Sequence, residues 1–314
     1  MPDETVALSP LADPVVAAIF SDIQSAGLAM QSLLDASLAE DGIQIGELIS
    51  VTPQRHYTQP GERGCHIDIE ATTNKNERAF FEVQINPDPT ILQRNLFSAS
   101  RALTDSALPG TTHAKLAASM PKVISINILN FNLRDDNEHF LQPIKLLYTK
   151  PPHTVALPQF SIYNIQLPRF REAKQDFTNP LYCWIYAMDT AMQQKITIRE
   201  VIKMTPELQH FAKGDTGFTQ YCERYDRVAS DPATRTEYYN WINEQIRQQG
   251  MLLGAEERGI EQGMQRGIER GIERGKQTKA AEIARNLLST GLTLEQISKS
   301  TGLPLTAIKN LPRQ

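Results

Sequence analysis

Two neighbouring apolar stretches of the sequence carry acidic or amide side chains at alternate positions. They are "GCHIDIEAT" and "RAFFEVQIN", at residues 64–72 and 78–86. Each is short, rich in β-branched or aromatic residues and bounded by polar ones. The two therefore predict the strands of a hairpin, with the slightly long loop "TNKNE" between them.

Side chains two residues apart lie on the same face of a strand. The spacing places Asp68 beside Glu70 on the first strand, and Glu82 beside Gln84 on the second. If the register brings these faces together, Asp68 and Glu82 come within reach of one hard cation, because facing carboxylates repel unless positive charge lies between them. The alternative is an edge hairpin with a solvated polar face. In either case the apolar side chains of the second strand are expected to anchor it in the core: Phe81, Val83, Ile85.

The segments around this hairpin predict an α/β domain that ends near residues 168–170. Residues 13–38 repeat apolar side chains at steps of three and four, as in an amphipathic helix or helix pair. After the hairpin, Asp88 and Pro89 start a predicted crossover helix. "PKVISINILNF" and "FSIYNIQL" then predict two buried strands, at 121–131 and 160–167.

The second half of the chain is predicted to be helical. Residues 176–249 form a helical extension, and 250–288 form a repeat with glycine at every fourth position from Gly259 to Gly275. The glycines would form a stripe on a helix, against which a second copy could pack, or the segment could be a charged, frayed linker. Residues 289–314 predict a helix-turn-helix-like hairpin or a plain helical hairpin, with Thr293 and Gln296 at capping-box spacing.

Composition limits the class of partner and the location. The formal net charge of −4 gives no global attraction to nucleic acid, so a polyanion would need a local basic patch. Three dispersed cysteines favour a reducing compartment, and we expect a cytoplasmic protein. No run of about 18 apolar residues occurs, and the acidic N-terminal sequence is unlike a signal peptide, so no membrane association is expected.

The sequence also resembles a known family. "HIDIEATTNKNERAFFEVQ", then Arg94, "MPKVISINILNF" and "YNIQLPRF" are similar in order and spacing to the PD-(D/E)XK nuclease family transposases, the recombination-promoting nuclease group. The glycine-repeat tail and terminal hairpin are similar to the way that group ends. The resemblance implies a restriction-endonuclease-like core over residues 1–175, with a mixed sheet flanked by helices and a helical C-terminal extension.

The resemblance also implies a site. Asp68 and Glu82 match its metal-binding acids, Gln84 matches the position where classical members carry lysine, and Arg94 matches an arginine suited to phosphate contact or structural support. The implied cofactor is Mg²⁺, with Mn²⁺ or Ca²⁺ as alternatives. The tyrosine that often follows the arginine is not evident. A neutral amide can only hydrogen-bond, so Gln84 cannot act as a general base.

Three other polar residues lie near the predicted site in the sequence or on the same strand face. Glu47 is a candidate third carboxylate or, more simply, an ordinary surface residue. Glu70 could support the metal or be solvated, and His66 is interpreted as a hydrogen-bond partner outside the site. The sequence thus favours a metal-dependent DNA endonuclease with low sequence specificity, linked to recombination or mobile DNA, that forms homo-oligomers through the glycine-repeat helix. The alternative is a catalytically weak, DNA-binding or regulatory oligomer that retains the fold.

Overall fold

The structure is a computed structural model that describes residues 7–57, 64–104, 110–134 and 138–311. The chain forms two compact units, Met1–Ile242 and Asn243–Gln314. None of the described helices is both long enough and apolar enough to cross a membrane.

A six-stranded mixed sheet forms the centre of the first unit. Its strands are β1 (Leu48–Tyr57), β2 (Cys65–Thr73), β3 (Glu77–Gln84), β4 (Lys122–Leu129), β5 (Leu141–Leu147) and β6 (Val155–Gln166). They are arranged in the order β1-β2-β3-β4-β6-β5. The central pairs β3–β4 and β4–β6 are parallel, whereas β1–β2, β2–β3 and β5–β6 are antiparallel. The predicted mixed sheet flanked by helices is therefore confirmed.

The predicted hairpin is β2 and β3. Ile69 pairs with Phe81 and Glu70 with Phe80, so the two stretches that carry the acidic side chains run side by side as expected. The connection is shorter than predicted, because β2 extends to Thr73 and β3 begins at Glu77. Asn76 adopts a positive φ of 61° in this turn, a conformation that asparagine tolerates better than most residues.

Two strands were not predicted, and both lie at the edges of the sheet. β1 carries Pro53 and β5 carries Pro143, and proline has no N–H to donate to a neighbouring strand. The edge position accommodates proline because one side of the strand needs no partner. These strands lack the continuous burial that made β4 and the second half of β6 recognisable.

Helices cover both faces of the sheet. The N-terminal amphipathic segment is a helix pair, α1 (Asp13–Ile19) and α2 (Ile23–Leu38), in which Asp22 caps α2 by accepting from the Ser25 N–H. These helices contribute Val15 and Leu33 to the larger core. The crossover segment between β3 and β4 contains α3 (Ile91–Thr104) and α4 (His113–Ser119), and α3 packs on the smaller core through Ala99 and Ala102.

Strand β3 separates the two cores. Phe81 and Val83 are buried in the larger core, and Ile85 packs against it partly buried, so their predicted anchoring role is confirmed. Phe80 is buried in the smaller core beneath α3. Both faces of the strand are thus covered, which fixes the position of any polar side chain that the strand carries.

The first unit also contains helices α5 to α9. Their bounds are α5 (Leu167–Glu172), α6 (Pro180–Gln194), α7 (Ile198–Met204), α8 (Pro206–Gly214) and α9 (Thr216–Ser230). Helix α9 lies close against α2, because a Cβ added at Gly217 would stand 2.4 Å from the Leu28 carbonyl oxygen and 2.5 Å from the Ser32 Cβ. Only glycine allows this approach. Arg171 of α5 makes a bidentate ion pair with buried Asp189 of α6.

Hydrogen bonds also tie the first residues of the unit to its last helices. The Tyr225 hydroxyl donates to the Leu8 carbonyl at 2.6 Å, and the Ser9 N–H donates to the Tyr238 hydroxyl at 3.3 Å. Each bond joins residues more than two hundred positions apart, with separations of 217 and 229. The N-terminal segment is therefore held by the end of the unit.

The longest helix, α10 (Pro232–Leu288), has 57 residues. In the second unit it is followed by α11 (Leu294–Thr301) and α12 (Leu305–Lys309), which close a small core around Ala284, Ile297 and Ile308. Thr293 and Gln296 form the predicted capping box, and Gly302 ends α11 with a φ of 72°. Both observations agree with the terminal helical hairpin expected from the sequence.

Candidate active site

The candidate site is formed where Asp68 of β2 meets the end of β3. One carboxylate oxygen of Asp68, Oδ2, accepts the Val83 N–H at 3.1 Å. The Asp68 side chain thus contacts the backbone of β3 directly. Glu82 directly precedes Val83, so the structure brings the two predicted acids together on adjacent strands.

Burial sets the electrostatics of this pair. The side chain of Asp68 is 24% exposed, and Glu82 is 7% exposed. Burial, followed by the negative charge of Asp68, raises the pKa of Glu82 from 4.5 to about 8. Burial, followed by the negative charge of Asp13, raises the pKa of Asp68 from 3.8 to about 6. This polar face is therefore not a solvated hairpin surface, and ionising both groups would leave two buried negative charges side by side.

A third carboxylate, Asp13, acts on the same pair and was not expected from the sequence. It is the first residue of α1, and its charge is the second-largest influence on Asp68. Its Oδ2 accepts the indole N–H of Trp241 at 3.1 Å. Burial raises the pKa of Asp13, and this hydrogen bond opposes the shift. No local motif around Asp13 pointed to the hairpin, because its proximity depends on how α1 packs on the sheet.

The structure places the other two predicted residues at the rim. The Arg94 guanidinium of α3 contacts Asp88 at 2.7 Å and Gln84 Oε1 at 3.5 Å, and it is half exposed. Its positive charge opposes, but does not overcome, the rise in the pKa of Asp68 and of Glu82. Gln84 also donates its amide N–H to the Asn86 carbonyl at 3.1 Å. The rim thus presents a cation and an amide next to the buried acids.

Glu47 and Glu70 both lie outside the carboxylate cluster. Glu47 is exposed, and its carbonyl accepts from Asn74 at the turn of the hairpin, so the suggestion that it is the third carboxylate is wrong. Glu70 is buried and accepts from Tyr57 while pairing with Arg55 and Arg78. The two arginines compensate the charge of the Glu70 carboxylate, so Glu70 is neither solvated nor available to a metal.

His66 lies near Asp68 but makes no hydrogen bond to it. Its Nδ1 lies 3.9 Å from Asp68 Oδ1, beyond hydrogen-bonding distance, and its ring lies 4.6 Å from that of His56. Burial, followed by the charge of His56, lowers the pKa of His66. A neutral imidazole next to Asp68 adds little charge to the site.

A row of buried amides continues from Glu82 across the sheet. Asn127 of β4 is the direct partner of Glu82, and Asn164 of β6 is the direct partner of Asn127. The Asn127 amide donates to Asn164 Oδ1 at 3.0 Å, and both residues are fully buried. The sequence carried a signal, since each asparagine stands between two isoleucines or an aromatic residue and isoleucine within a buried strand. These amides make the sheet around Glu82 polar.

The donor chemistry of the pair fits a hard divalent cation. Carboxylate oxygens are the ligands that Mg²⁺ prefers, and one or two of them suffice when water and phosphate oxygens complete the shell. Within the described ranges, no group of three or more His, Cys, Asp or Glu side chains is close enough to hold a metal ion by itself. The site therefore fits an ion that substrate helps to bind, and does not fit a closed structural metal centre.

The comparisons with known proteins agree with this architecture. A family model described as PD-(D/E)XK nuclease family transposase matches residues 10–245, which include the whole sheet and all the site residues named above. No match was found among curated proteins or among solved structures. The family description connects the matched region with a nuclease- or transposase-related function. The chain belongs to the PD-(D/E)XK nuclease family transposases.

Proposed function

We propose that this protein is a metal-dependent DNA endonuclease that hydrolyses phosphodiester bonds with little sequence specificity. The observation that carries the proposal is the Asp68–Glu82 pair on adjacent strands, in which burial, followed by a neighbouring negative charge, raises the pKa of each acid. Such a pair is costly in a metal-free protein and is stabilised by a divalent cation. Family membership makes DNA the expected substrate.

Each residue has a distinct proposed role. Asp68 and Glu82 hold Mg²⁺, or Mn²⁺ or Ca²⁺ in its place, with the Asp13 charge adding to the attraction. The bound ion would lower the pKa of a water molecule and polarise the phosphoryl oxygen. Gln84 orients that water or the phosphate through its amide, and Arg94 offers charge-assisted hydrogen bonds to phosphate oxygens.

Low sequence specificity follows from the chemistry of these groups. A guanidinium and an amide beside two carboxylates suit the phosphate backbone, which is the same for every base. Binding that depends on phosphate contacts weakens steeply as salt concentration rises. We therefore expect the affinity for DNA to depend strongly on salt and little on base sequence.

Cleavage of supercoiled plasmid tests the proposal. The purified full-length protein is incubated with Mg²⁺, Mn²⁺, Ca²⁺ or EDTA, alongside Asp68→Asn and Glu82→Gln. Glu47→Gln serves as a matched control, because Glu47 is an exposed carboxylate that immediately precedes β1, outside the acidic cluster. We expect metal-dependent nicking by the wild type and the control, and none by the two site variants.

The alternative outcomes are distinct. Nicking that survives both Asp68→Asn and Glu82→Gln would place the chemistry elsewhere or reveal a contaminating nuclease. Absence of cutting with every metal, while DNA still shifts in a gel, would favour the DNA-binding or regulatory alternative. The feature of the site that fits this alternative is Gln84, because a neutral amide stands where classical members of the family carry lysine.

The proposal extends to assembly through α10. A Cβ added at Gly259, Gly263, Gly267, Gly271 or Gly275 would meet nothing within 4 Å in the described chain. Beside this stripe, Ile260, Met264, Ile268 and Ile272 are 48–68% exposed. Interior glycines cost a helix about 0.5–1 kcal/mol each, and close packing of a second copy would offset that cost. We therefore propose that the protein forms a homo-oligomer through α10. We also propose that it is located in the cytoplasm and is linked to recombination or mobile DNA.

A further inference from the structure

Two histidines face each other at the edge of the sheet, beside the candidate site. His56 of the edge strand β1 and His66 of β2 are direct partners in the antiparallel register of these strands. Direct partners on neighbouring antiparallel strands project from the same face, with Cβ atoms about 4.5–5.5 Å apart. The two rings are accordingly close, with centroids 4.6 Å apart. The flanking residues of both strands are also paired, which fixes the backbone beneath the rings.

The two rings are accessible to a ligand from solvent. Both histidines are exposed, and the side chain of His66 is 45% exposed. Within the described ranges, neither imidazole takes part in a hydrogen bond, and Asp68 Oδ1 stays 3.9 Å from His66 Nδ1. The structure therefore holds two solvent-facing imidazoles side by side, with nitrogen atoms that no described residue occupies.

A pair of imidazoles selects one class of metal ion. Imidazole nitrogen suits Zn²⁺, Cu²⁺ and Ni²⁺, whereas Mg²⁺ and Ca²⁺ prefer oxygen. Zinc–nitrogen bonds are about 2.0–2.1 Å long, so two nitrogens on one ion are at most about 4 Å apart. Rings with centroids 4.6 Å apart can bring one nitrogen each within that span by side-chain rotation alone. Because no group of three ligating side chains occurs in the described part of the chain, water would complete the coordination shell.

We propose that His56 and His66 bind one late first-row transition-metal ion, such as Zn²⁺, and that this ion antagonises the hard cation at Asp68. The binding site is independent of the proposed nuclease function, and the antagonism rests on that function. The 3.9 Å between His66 Nδ1 and Asp68 Oδ1 lies within the same span of about 4 Å. An ion on the imidazoles therefore attracts the carboxylate that the proposed Mg²⁺ site needs. Two divalent ions so close together also repel each other.

Zinc binding to the full-length protein is measured by isothermal titration calorimetry at about pH 7.5, where an ordinary imidazole is mostly neutral. Mg²⁺ is kept in excess so that it occupies the carboxylates and leaves the imidazoles to Zn²⁺. We expect one Zn²⁺ per chain. His56→Gln and His66→Gln should each lose about tenfold or more in affinity, since changes behind a metal ligand already cost that much. The control His210→Gln removes an exposed histidine of α8 and should bind zinc as the wild type does.

Histidine ring resonances identify the ligands directly. The chain has six histidines, so protein with isotope-labelled histidine gives few ring signals. One equivalent of Zn²⁺ should shift the nitrogen resonances of two rings. One of these two signals should be missing from the spectrum of His56→Gln, and the other from the spectrum of His66→Gln.

Plasmid nicking tests the antagonism between the two ions. Zn²⁺ added in the presence of Mg²⁺ should slow nicking by the wild type and by His210→Gln, and more Mg²⁺ should restore the rate. His56→Gln should nick as the wild type does with Mg²⁺ alone, because His56 takes no part in the proposed Mg²⁺ site. The same variant should resist the inhibition by Zn²⁺.

Each failure has a different meaning. Zinc affinity that is unchanged in both His56→Gln and His66→Gln would overturn the histidine site. Loss of that affinity in Asp68→Asn alone would likewise overturn it, by assigning the ion to the acids. Equal inhibition of the wild type and His56→Gln would overturn the antagonism. A wild type that nicks nothing with any metal would overturn the nuclease proposal, while the calorimetric and resonance measurements would still decide the histidine site.

Discussion

The acid pair predicts that the metal-free protein loses stability as pH rises, and that Glu82→Gln removes the part of the loss that is due to Glu82. The pKa of Glu82 is raised from 4.5 to about 8 because the side chain is buried beside Asp68. Below about pH 4.5 the folded and unfolded states both hold the proton, so the group costs nothing. As pH rises from there to about 8, the unfolded chain releases the proton and the folded chain keeps it, which favours unfolding.

The size of the effect follows from the two pKa values of Glu82. At about 1.4 kcal/mol for each pH unit between 4.5 and about 8, the loss reaches about 5 kcal/mol once the folded carboxylate is ionised. That is a large share of a total stability of about 5–15 kcal/mol. Glutamine mimics the protonated acid in shape and charge. The variant should match the wild type near pH 5 and exceed it by up to about 5 kcal/mol near pH 9.

The assay is urea unfolding at a series of pH values in EDTA, followed by Trp184 fluorescence. Trp184 is buried against Phe218 and Tyr221, and both tryptophans lie in the first unit, so the signal reports that unit alone. Glu47→Gln is the control and should follow the wild type. Added Mg²⁺ should restore wild-type stability at high pH and leave Glu82→Gln less affected. Wild-type and Glu82→Gln curves that stay parallel across the pH range would refute the reasoning.

Four further predictions test other parts of the structure. Mg²⁺ binding near pH 7 should release about one proton, measured by calorimetry in buffers of different ionisation heat, and equal release by Glu82→Gln would contradict the assignment of that proton. Gly217→Ala should destabilise the first unit by about 1–3 kcal/mol in thermal unfolding, whereas the open position Gly214→Ala should not, and equal effects would contradict the close helix contact. Gln84→Lys should increase the initial nicking rate, and a markedly slower lysine variant would show that the amide is adapted to its task. Deleting residues 251–314 should lower the number of chains per particle, measured by light scattering as the ratio of particle mass to chain mass, and an unchanged ratio with an unchanged cleavage rate would exclude both self-association and inhibition through the tail.

The central part of the fold was predictable because both faces of its strands are buried. β3 and β4 are buried along nearly their whole length, and their bounds fall within a few residues of the predicted ones. The edge strands β1 and β5 escaped prediction because partial exposure and proline remove the usual strand pattern. A sequence pattern reports burial, and edge strands are buried least.

The site was predictable only where it is local in sequence. Strand alternation and hairpin pairing were enough to bring Asp68 and Glu82 together. Asp13 could not be identified, because its approach to Asp68 depends on how α1 packs and on a hydrogen bond from Trp241.

The bond between Trp241 and Asp13 also determines when the site can form during synthesis. The two residues are 228 positions apart, and the neighbouring bonds from Tyr225 to Leu8 and from Ser9 to Tyr238 have similarly long separations. A ribosome delivers the N-terminal helices and the whole sheet before it delivers these partners. The acids of the hairpin are therefore translated early, whereas the anchor of Asp13 arrives late. A nascent or prematurely terminated chain would carry the acids without the completed surroundings, so the order of translation itself delays assembly of the finished site until the first unit is nearly complete.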